Sequence, residues 1–325
     1  MKIPASIRQI HEDQKAANDR LKNIVDERMA GLKKARWHYE SRVKELSSFA
    51  LKIETGRVQM PAALEDFFAC TLVVANATEI VEAEKLVQEH FIVKERRPKK
   101  VDKTHKSSDS FPFDDLRVYV TLREGLAVRP TGLANISFEV QLKTFLQHAW
   151  SIATHDLLYK SDEVNWSKER IAYQIKAMLE HAEISIQEAE GLAACPALAK
   201  EDPTTTAIKE GIKLLKAQWV GDQLPSDVRR LSRNITTLLE ALRMKIGRLE
   251  QILNEGQAQR GSHPSNLSPY GTIVQYLFEV EKEKMISFLK DDSMKMKILI
   301  AAEIELPVGV DSSKFRNAVL VSAAV

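Results

Sequence analysis

A glutamate, a glutamine and a lysine alternate with apolar residues in the segment FEVQLKT, residues 138–144. A period of two is typical of a β-strand that has one apolar and one polar face. Glu139, Gln141 and Lys143 would then lie side by side on the polar face. A carboxylate can accept a proton or hold a cation, and an ammonium group can bind phosphate. The segment therefore predicts one wall of a cleft that handles phosphate groups.

The apolar period changes after Thr144. Apolar residues follow at helical spacing as far as Leu157, so the strand is predicted to run directly into a helix. His148 and His155 lie seven residues apart on this helix, which is roughly 10 Å at about 1.5 Å per residue. They are too far apart to share one metal ion, so we expect no metal site from this pair.

Other segments predict the elements around this strand. Residues 66–75 are almost continuously apolar, as in a strand buried on both faces, and residues 116–122 alternate like a half-buried strand. Residues 91–93 are predicted to form a short strand, and residues 77–90 and 166–193 to form helices. The fold class is therefore α+β, a mixed β-sheet flanked by helices.

The N-terminal segment from Ile7 to Lys52 is rich in charge and is predicted to be helical. Lys44, Ser48 and Lys52 are four residues apart, so one helix face would present them together, with Arg42 just before them. Charged helix faces are most often simply solvated. Phosphate binding by this segment therefore needs support from elsewhere in the chain.

Residues 94–110 are polar and basic, and we predict a long loop. The basic run 96–106 is either a solvated surface or an attractant for a polyanion, such as nucleotide phosphates or an RNA backbone. Residues 195–206 have the composition of a linker, which predicts two domains, 1–196 and 197–325. The second is predicted to be helical over 207–219, 226–254 and 270–290, with Ser226 as an N-cap.

The composition sets further bounds. The chain has 325 residues and a formal net charge of +2, too small to indicate nucleic-acid binding by itself. Its two cysteines, Cys70 and Cys195, have no metal-binding spacing and favour a reducing cytoplasm. The N-terminus has no apolar signal segment, and no stretch is apolar over enough residues to span a bilayer.

The strand and helix together resemble a known signature. The sequences EVQLKT, HAW and HDLLYK are similar to the RelA/SpoT-type alarmone synthetase family, in which E-[IV]-Q-[IL]-R-T runs into W-A-x-x-E-H-x-x-x-Y-K. The residues kept at matching positions are Glu139, Gln141, Thr144, Trp150, His155, Tyr159 and Lys160. The chain departs at Lys143, Ser151 and Thr154, where the family has Arg, Ala and Glu.

The resemblance implies a nucleotidyltransferase-like synthetase domain that moves the pyrophosphoryl group of ATP to a ribose 3′-hydroxyl, with Mg²⁺ as cofactor. Asp66 and Glu139 would be the metal carboxylates, and Glu139 is also the expected base. Gln141 would hold Glu139 or a ribose hydroxyl, and His155 would orient Glu139 or phosphate. Lys143 would bind phosphate.

The substrate-binding residues follow from two further motifs. Arg42, Lys44, Ser48 and Lys52 match the family pattern R-V-K-x-x-x-S-[IF]-x-x-K, which implies binding of the donor phosphates. The family segment G-Y-x-S-x-H, which stacks the acceptor base, corresponds to residues 112–117. Phe113 keeps a stacking face there, and Arg117 replaces the histidine. Thr71 stands where the family has an Arg that stacks on the ATP base.

The resemblance leaves several alternatives open. The N-terminal region is too short for the hydrolase domain of bifunctional relatives, so a synthetase without a hydrolase is expected. The acceptor would be GDP, GTP or the 3′ end of a tRNA, the last as in toxic small alarmone synthetases. A different possibility is a catalytically degenerate module of the same fold that binds nucleotide or another protein. The helices after residue 200 would serve regulation, acceptor docking or homo-oligomerisation.

Overall fold

The structure is a computed structural model that describes residues 2–56, 58, 60–100, 116–123, 132–158, 165–293 and 296–321, with the side chains of 155–158 excepted. The chain divides into two compact units, Met1–Leu198 and Ala199–Val325. Each unit is built around its own apolar core.

The first unit combines strands and helices, as predicted. Its elements are α1 (Ala5–Leu32), β1 (His38–Val43), α2 (Leu46–Ile53), β2 (Phe68–Val74), α3 (Ala77–His90), β3 (Phe91–Arg97), β4 (Leu116–Leu122), β5 (Phe138–Thr144), α4 (Phe145–Leu158), α5 (Trp166–Gln187) and α6 (Ala189–Ala194). The five strands form one sheet in the order β1-β2-β5-β4-β3. The pair β2–β5 is parallel and the other three pairs are antiparallel, so the mixed sheet is confirmed.

The strand register gives the sheet two different faces. Ser41, Cys70, Val140 and Val118 are aligned across β1, β2, β5 and β4, and their face contributes to the core that α1 and α3 cover. Because side chains alternate along a strand, the neighbouring positions point to the opposite face. That face carries Glu40, Arg42, Thr71, Arg117, Tyr119, Glu139, Gln141 and Lys143. One face of the sheet therefore carries polar residues from the four strands β1, β2, β4 and β5.

Two predictions for the first unit are wrong. Residues 38–43 form strand β1 rather than part of a helix, because this charged segment pairs with β2 and its side chains alternate in exposure. Tyr39 and Ser41 both donate to Asp26 of α1 at 2.7 Å, which attaches the strand to the core helix. Strand β3 is also longer than predicted. It extends through Arg97 because residues 95–97 pair with β4.

The second unit is mainly helical. Its elements are α7 (Pro203–Gln218), α8 (Val228–Ala241), α9 (Ile246–Arg260), α10 (Pro269–Val280), α11 (Lys282–Lys290), β6 (Ile298–Ile300) and β7 (Ala318–Leu320), the last two forming a parallel pair. The helix predicted over 226–254 is broken after α8, where Arg243 has a left-handed φ of 53°. The N-cap of α8 is Asp227 rather than Ser226, because its carboxylate accepts from the backbone N–H of Arg230 at 2.8 Å.

The predicted helix over 270–290 is likewise two helices, which meet at Glu281, and that over 166–193 is divided at Glu188. Within the part of the chain that the structure describes, none of the helices has the length and apolar character needed to cross a bilayer.

Candidate active site

Glu139 lies on β5 and is buried, with 4% of its surface exposed. Its Oε2 accepts a hydrogen bond of 2.7 Å from the hydroxyl of Tyr119 on β4, and its Oε1 accepts one from the amide of Gln141. A buried carboxylate is costly unless such donors satisfy it. The sheet therefore holds this carboxylate in a fixed orientation between two neutral donors. The predicted contact between Gln141 and Glu139 is present.

Tyr119 is a site residue that the sequence analysis missed. The guanidinium of Arg97 on β3 lies 4.5 Å from the centroid of its ring, and Arg97 Nη1 lies 3.3 Å from its hydroxyl oxygen. Burial raises the pKa of Tyr119 and the hydrogen bond to Glu139 raises it further, so the phenol stays protonated and acts as a donor. One signal existed in the sequence. Tyr119 alternates with Arg117 on the polar side of β4.

A cleft of about 480 Å³ opens over the polar face of the sheet. Its lining residues are Glu40, Ser41, Arg42, Ala69, Thr71, Gln141, Lys143, His148, Ser151 and Ile152. Arg42 on β1 and Lys143 on β5 bring two cationic side chains to this cleft, and Thr71 lies on β2, the strand between them in the sheet order. The Lys143 ammonium lies 3.4 Å from the hydroxyl of Ser151 on α4. This charge distribution suits a phosphate group.

Asp66 lies two residues before β2 and contacts two lysines. Its Oδ2 is 2.6 Å from Lys52 Nζ and 3.2 Å from Lys44 Nζ, and 19% of its side chain is exposed. Burial acts to raise the pKa of Asp66, but the lysines outweigh it and the pKa is lowered overall. Asp66 is therefore a carboxylate under ordinary conditions. Its other oxygen, Oδ1, is buried without a hydrogen-bond partner.

A second cavity, of about 750 Å³, opens beside Asp66. Its wall includes Lys52, Asp66, Arg97 and Tyr119, together with residues of α1 and the segment before β5. Tyr119 thus lines the cavity that contains Asp66 while its hydroxyl binds Glu139. The two carboxylates have different partners. Asp66 contacts Lys44 and Lys52, whereas Glu139 accepts hydrogen bonds from Tyr119 and Gln141.

The structure brings together some of the predicted donor-binding residues, but not by the predicted helix face. Lys44 follows β1 and precedes α2, whereas Ser48 and Lys52 lie on α2. The prediction that one helix carries Lys44, Ser48 and Lys52 was wrong, because residues 38–43 form strand β1 and α2 begins only at Leu46. Lys44 and Lys52 nevertheless meet at Asp66, and Arg42 lies on β1 in the cleft. Ser48 is exposed.

The remaining predicted residues are placed as follows. Arg117 is exposed on β4, opposite Gln141 in the register. His155 lies on α4, and its side chain is outside the described residues. Phe113 also lies outside the described residues, as does the part of the basic run from 101 to 106.

Two arginines of the basic run 96–100 are less available to bind a polyanion than the sequence suggested. Arg96 binds the carboxylate of Glu84 at 2.6 Å, and Arg97 binds that of Glu95 at 2.7 Å. These two arginines belong to β3 rather than to the predicted loop, and each is neutralised by an acidic neighbour.

A divalent cation would find one suitable donor at Asp66. Oδ1 is the buried carboxylate oxygen without a partner, which is the kind of atom that a hard cation takes. At Glu139 both oxygens already accept hydrogen bonds. The donor atoms thus fit a cation at Asp66, and binding at Glu139 requires exchange of a hydrogen-bond donor.

Residues 41–164 match the family model described as the region found in RelA/SpoT proteins. The match includes the second half of β1 together with β2, β5 and α4, elements that carry the cleft. This part of the chain therefore carries the region that is found in RelA/SpoT proteins. This family match supports a pyrophosphokinase-type activity in general. A comparison with curated proteins finds no match.

Solved structures that match part of this chain include small alarmone synthetase 1 from Bacillus subtilis, with 12% identity and a TM-score of 0.43 over 58% of this chain and 98% of that one. A GTP pyrophosphokinase family protein from Streptococcus pneumoniae has 17% identity and a TM-score of 0.40 over 61% of this chain and 97% of that one. The complex of the Type VI effector Tas1 with its immunity protein contains a chain with 12% identity and a TM-score of 0.29, covering 74% and 99% of the two chains.

Proposed function

We propose that this protein transfers the pyrophosphoryl group of ATP to the ribose 3′-hydroxyl of an acceptor, GDP, GTP or a tRNA 3′ end. The observation that carries the proposal is the buried Glu139 carboxylate, held by Tyr119 and Gln141 on the sheet face that also places Arg42 and Lys143 in the cleft. Phosphoryl transfer relies mainly on positioning and on stabilising charge. A rigid carboxylate beside cationic side chains provides both.

In this proposal Glu139 accepts the proton of the attacking hydroxyl. Gln141 separates Glu139 from the cleft, because Gln141 lines the cleft and its amide occupies Oε1. The acceptor hydroxyl would replace that amide at Oε1. Tyr119 would keep Oε2 bound throughout and so preserve the orientation of the carboxylate. We further propose that His155 of α4 orients Glu139 or phosphate, the role that its family position implies.

The phosphates would be bound by the cations around the site. We propose that Arg42, Lys44 and Lys52 bind the donor polyphosphate, with Ser48 as a neighbouring hydroxyl, and that Lys143 and Arg117 serve the acceptor. Lys44 and Lys52 are held by Asp66, so they are already placed before substrate arrives. Phe113 keeps its proposed role of stacking on the acceptor base.

Mg²⁺ is the proposed cofactor, held by Asp66 through Oδ1 and by Glu139. When bound, the ion would neutralise charge on the donor polyphosphate. The lysines contact Oδ2, so Lys44 and Lys52 could keep these contacts while Oδ1 binds the ion.

A degenerate module that binds nucleotide without transfer is the second candidate. Two features favour it. Both carboxylate oxygens of Glu139 already accept a hydrogen bond from a protein donor. Thr71 stands where the resemblance expects an arginine that stacks on the ATP base. Nucleotide binding without chemistry would follow from both.

Transfer of label from γ-labelled ATP to GDP, GTP or bulk tRNA, in the presence of magnesium, tests the proposal. We expect Glu139→Gln and Asp66→Asn to abolish transfer, whereas Glu250→Gln, at an exposed position of α9, leaves it unchanged. Retained nucleotide binding with no transfer to any of the three acceptors would instead support the degenerate module. Label in tRNA alone would identify the tRNA acceptor, and toxicity on expression that Glu139→Gln relieves would agree with it.

Homo-oligomerisation and a cytoplasmic location remain proposals. Light scattering on the purified full chain tests the first, and localisation of the tagged protein tests the second.

A further inference from the structure

Two histidines and a glutamate come together at the rim of the cleft, outside the group built on Glu139 and Asp66. His38 and Glu40 lie on β1, two residues apart, so they point to the same face of the strand. His148 reaches them from α4. One ligand atom from each of the three side chains lies within 4.8 Å of the other two.

The buried member of the group lacks a partner. His148 is 8% exposed, and its Nδ1 is buried with no hydrogen bond. The nearest acidic atom is Oε1 of Glu40, at 3.9 Å from Nδ1, which is too long for a hydrogen bond. The rings of His38 and His148 have centroids 5.6 Å apart. A buried polar atom normally has a partner, so this nitrogen calls for an additional ligand.

We propose that His38, Glu40 and His148 bind a transition-metal dication of the zinc class. Imidazole nitrogens select zinc, cobalt or nickel over magnesium, and two histidines with one glutamate form a known three-ligand set for zinc. Ligands of a tetrahedral ion with bonds of about 2.1 Å lie roughly 3.4 Å apart. The present separations are longer, at most 4.8 Å, with 3.9 Å between His148 Nδ1 and Glu40 Oε1, so the side chains would have to close onto the ion. His38 and Glu40 are exposed and free to rotate, whereas His148 is held by the fold.

The site would be open to the cleft. Glu40 and His148 line the same cavity as Arg42, Gln141 and Lys143. A three-ligand ion retains a coordination position for water or an anionic oxygen. The ion would therefore add positive charge to the cleft wall on which the phosphates are proposed to bind. The metal site itself does not rest on the proposed function and can be tested without it.

Titration of the metal-free full chain with Zn²⁺ in a calorimeter, and with Co²⁺ followed by its visible absorption, tests the site. We expect one ion per chain and a cobalt spectrum of low coordination number. His38→Ala and Glu40→Gln alter exposed residues and should leave the fold intact. Each should weaken binding by more than the 10–100-fold that is typical for loss of an outer-shell partner. His181→Ala, an exposed histidine on α5, is the matched control and should bind normally.

Several results would overturn the site. Wild-type affinity in both His38→Ala and Glu40→Gln would exclude these ligands, and equal weakening in His181→Ala would indicate non-specific surface binding. Displacement of Co²⁺ by Mg²⁺ at comparable concentration would point to oxygen ligands instead. His148→Asn alters a buried ligand, so its circular dichroism spectrum must be compared with that of the wild type. Loss of metal binding with an unchanged spectrum supports the site.

Discussion

Tyr119 and Glu139 are direct neighbours in the antiparallel pairing of β4 and β5, and the tyrosine hydroxyl donates to the glutamate at 2.7 Å. Tyr119 also lines the cavity that contains Asp66. Replacing Tyr119 with phenylalanine removes the hydroxyl that binds Glu139 but keeps the aromatic ring that contacts Arg97.

We expect Tyr119→Phe to lower the free energy of unfolding by about 1–3 kcal/mol, because a buried carboxylate loses one of its two donors. Urea denaturation measures this as a lower midpoint at unchanged slope. Tyr173→Phe, which alters an exposed tyrosine on α5, is the matched control and should be neutral. If Tyr119→Phe unfolds at the wild-type urea concentration, the hydroxyl does not stabilise Glu139.

The two lysines at Asp66 should differ in their effect on stability. Lys44 has 13% of its side chain exposed and Lys52 has 42%, so the Lys44 pair is less screened by water. We expect Lys44→Met to lower the free energy of unfolding by about 1–3 kcal/mol and Lys52→Met by less than about 1 kcal/mol. Urea denaturation of both variants measures the difference.

A double-mutant cycle with Asp66→Asn separates the pair energies from other effects of each substitution. The coupling of Asp66 to Lys44 should exceed its coupling to Lys52. Equal couplings would show that burial does not distinguish the two ion pairs.

Much of the sheet could be predicted because its strands have clear periods. The alternation of FEVQLKT placed Glu139 and Gln141 on one face of β5, and the change of period marked the start of α4. The apolar run before Ala75 predicted β2. These features depend only on neighbours along the chain, so a single sequence contains them.

The rest depends on contacts between distant segments. Strand β1 was mistaken for a helix because its charged residues hide a weak alternation, and its pairing with β2 decides its structure. The same error concealed the approach of His38 and Glu40 to His148. Tyr119 was missed because the partner opposite it is set by the strand register, which no local pattern reveals. Lys44 and Lys52 were predicted to lie together, and they do, but their contact with Asp66 brings them together rather than a shared helix face.

The second unit offers a test of close packing on one helix. A Cβ at Gly256 of α9 would lie 2.6 Å from Cδ2 of the buried Tyr276 ring. We expect Gly256→Ala to lower the free energy of unfolding by about 1–3 kcal/mol, because the ring and the helix must move apart. Gly247→Ala, on the same helix, meets nothing within 4 Å and should be neutral or stabilising by up to about 1 kcal/mol. Thermal unfolding of both variants measures the contrast, and equal melting temperatures would contradict it.

Asp66 should make the stability of the first unit depend on pH in acid. Burial opposes ionisation, but Lys52 and Lys44 lower the pKa of Asp66 below its ordinary value of 3.8. A carboxyl group with a lowered pKa in the folded state stabilises the protein at pH values above its unfolded pKa. That stabilisation disappears as the pH falls through the folded pKa. Asp66→Asn removes the charge at every pH.

We therefore expect Asp66→Asn to be less stable than wild type by about 1–2 kcal/mol at neutral pH. The two free energies of unfolding should converge as the pH falls below 3.8 and through the folded pKa of Asp66. Urea denaturation across this range measures the convergence, and Asp222→Asn, at an exposed position, should follow wild type at each pH. A difference that stays constant from neutral pH into acid would mean that the lysines do not stabilise the charge of Asp66. Convergence would show that this carboxylate is ionised and held by Lys44 and Lys52, and an ionised Asp66 is what the proposed binding of Mg²⁺ through Oδ1 requires.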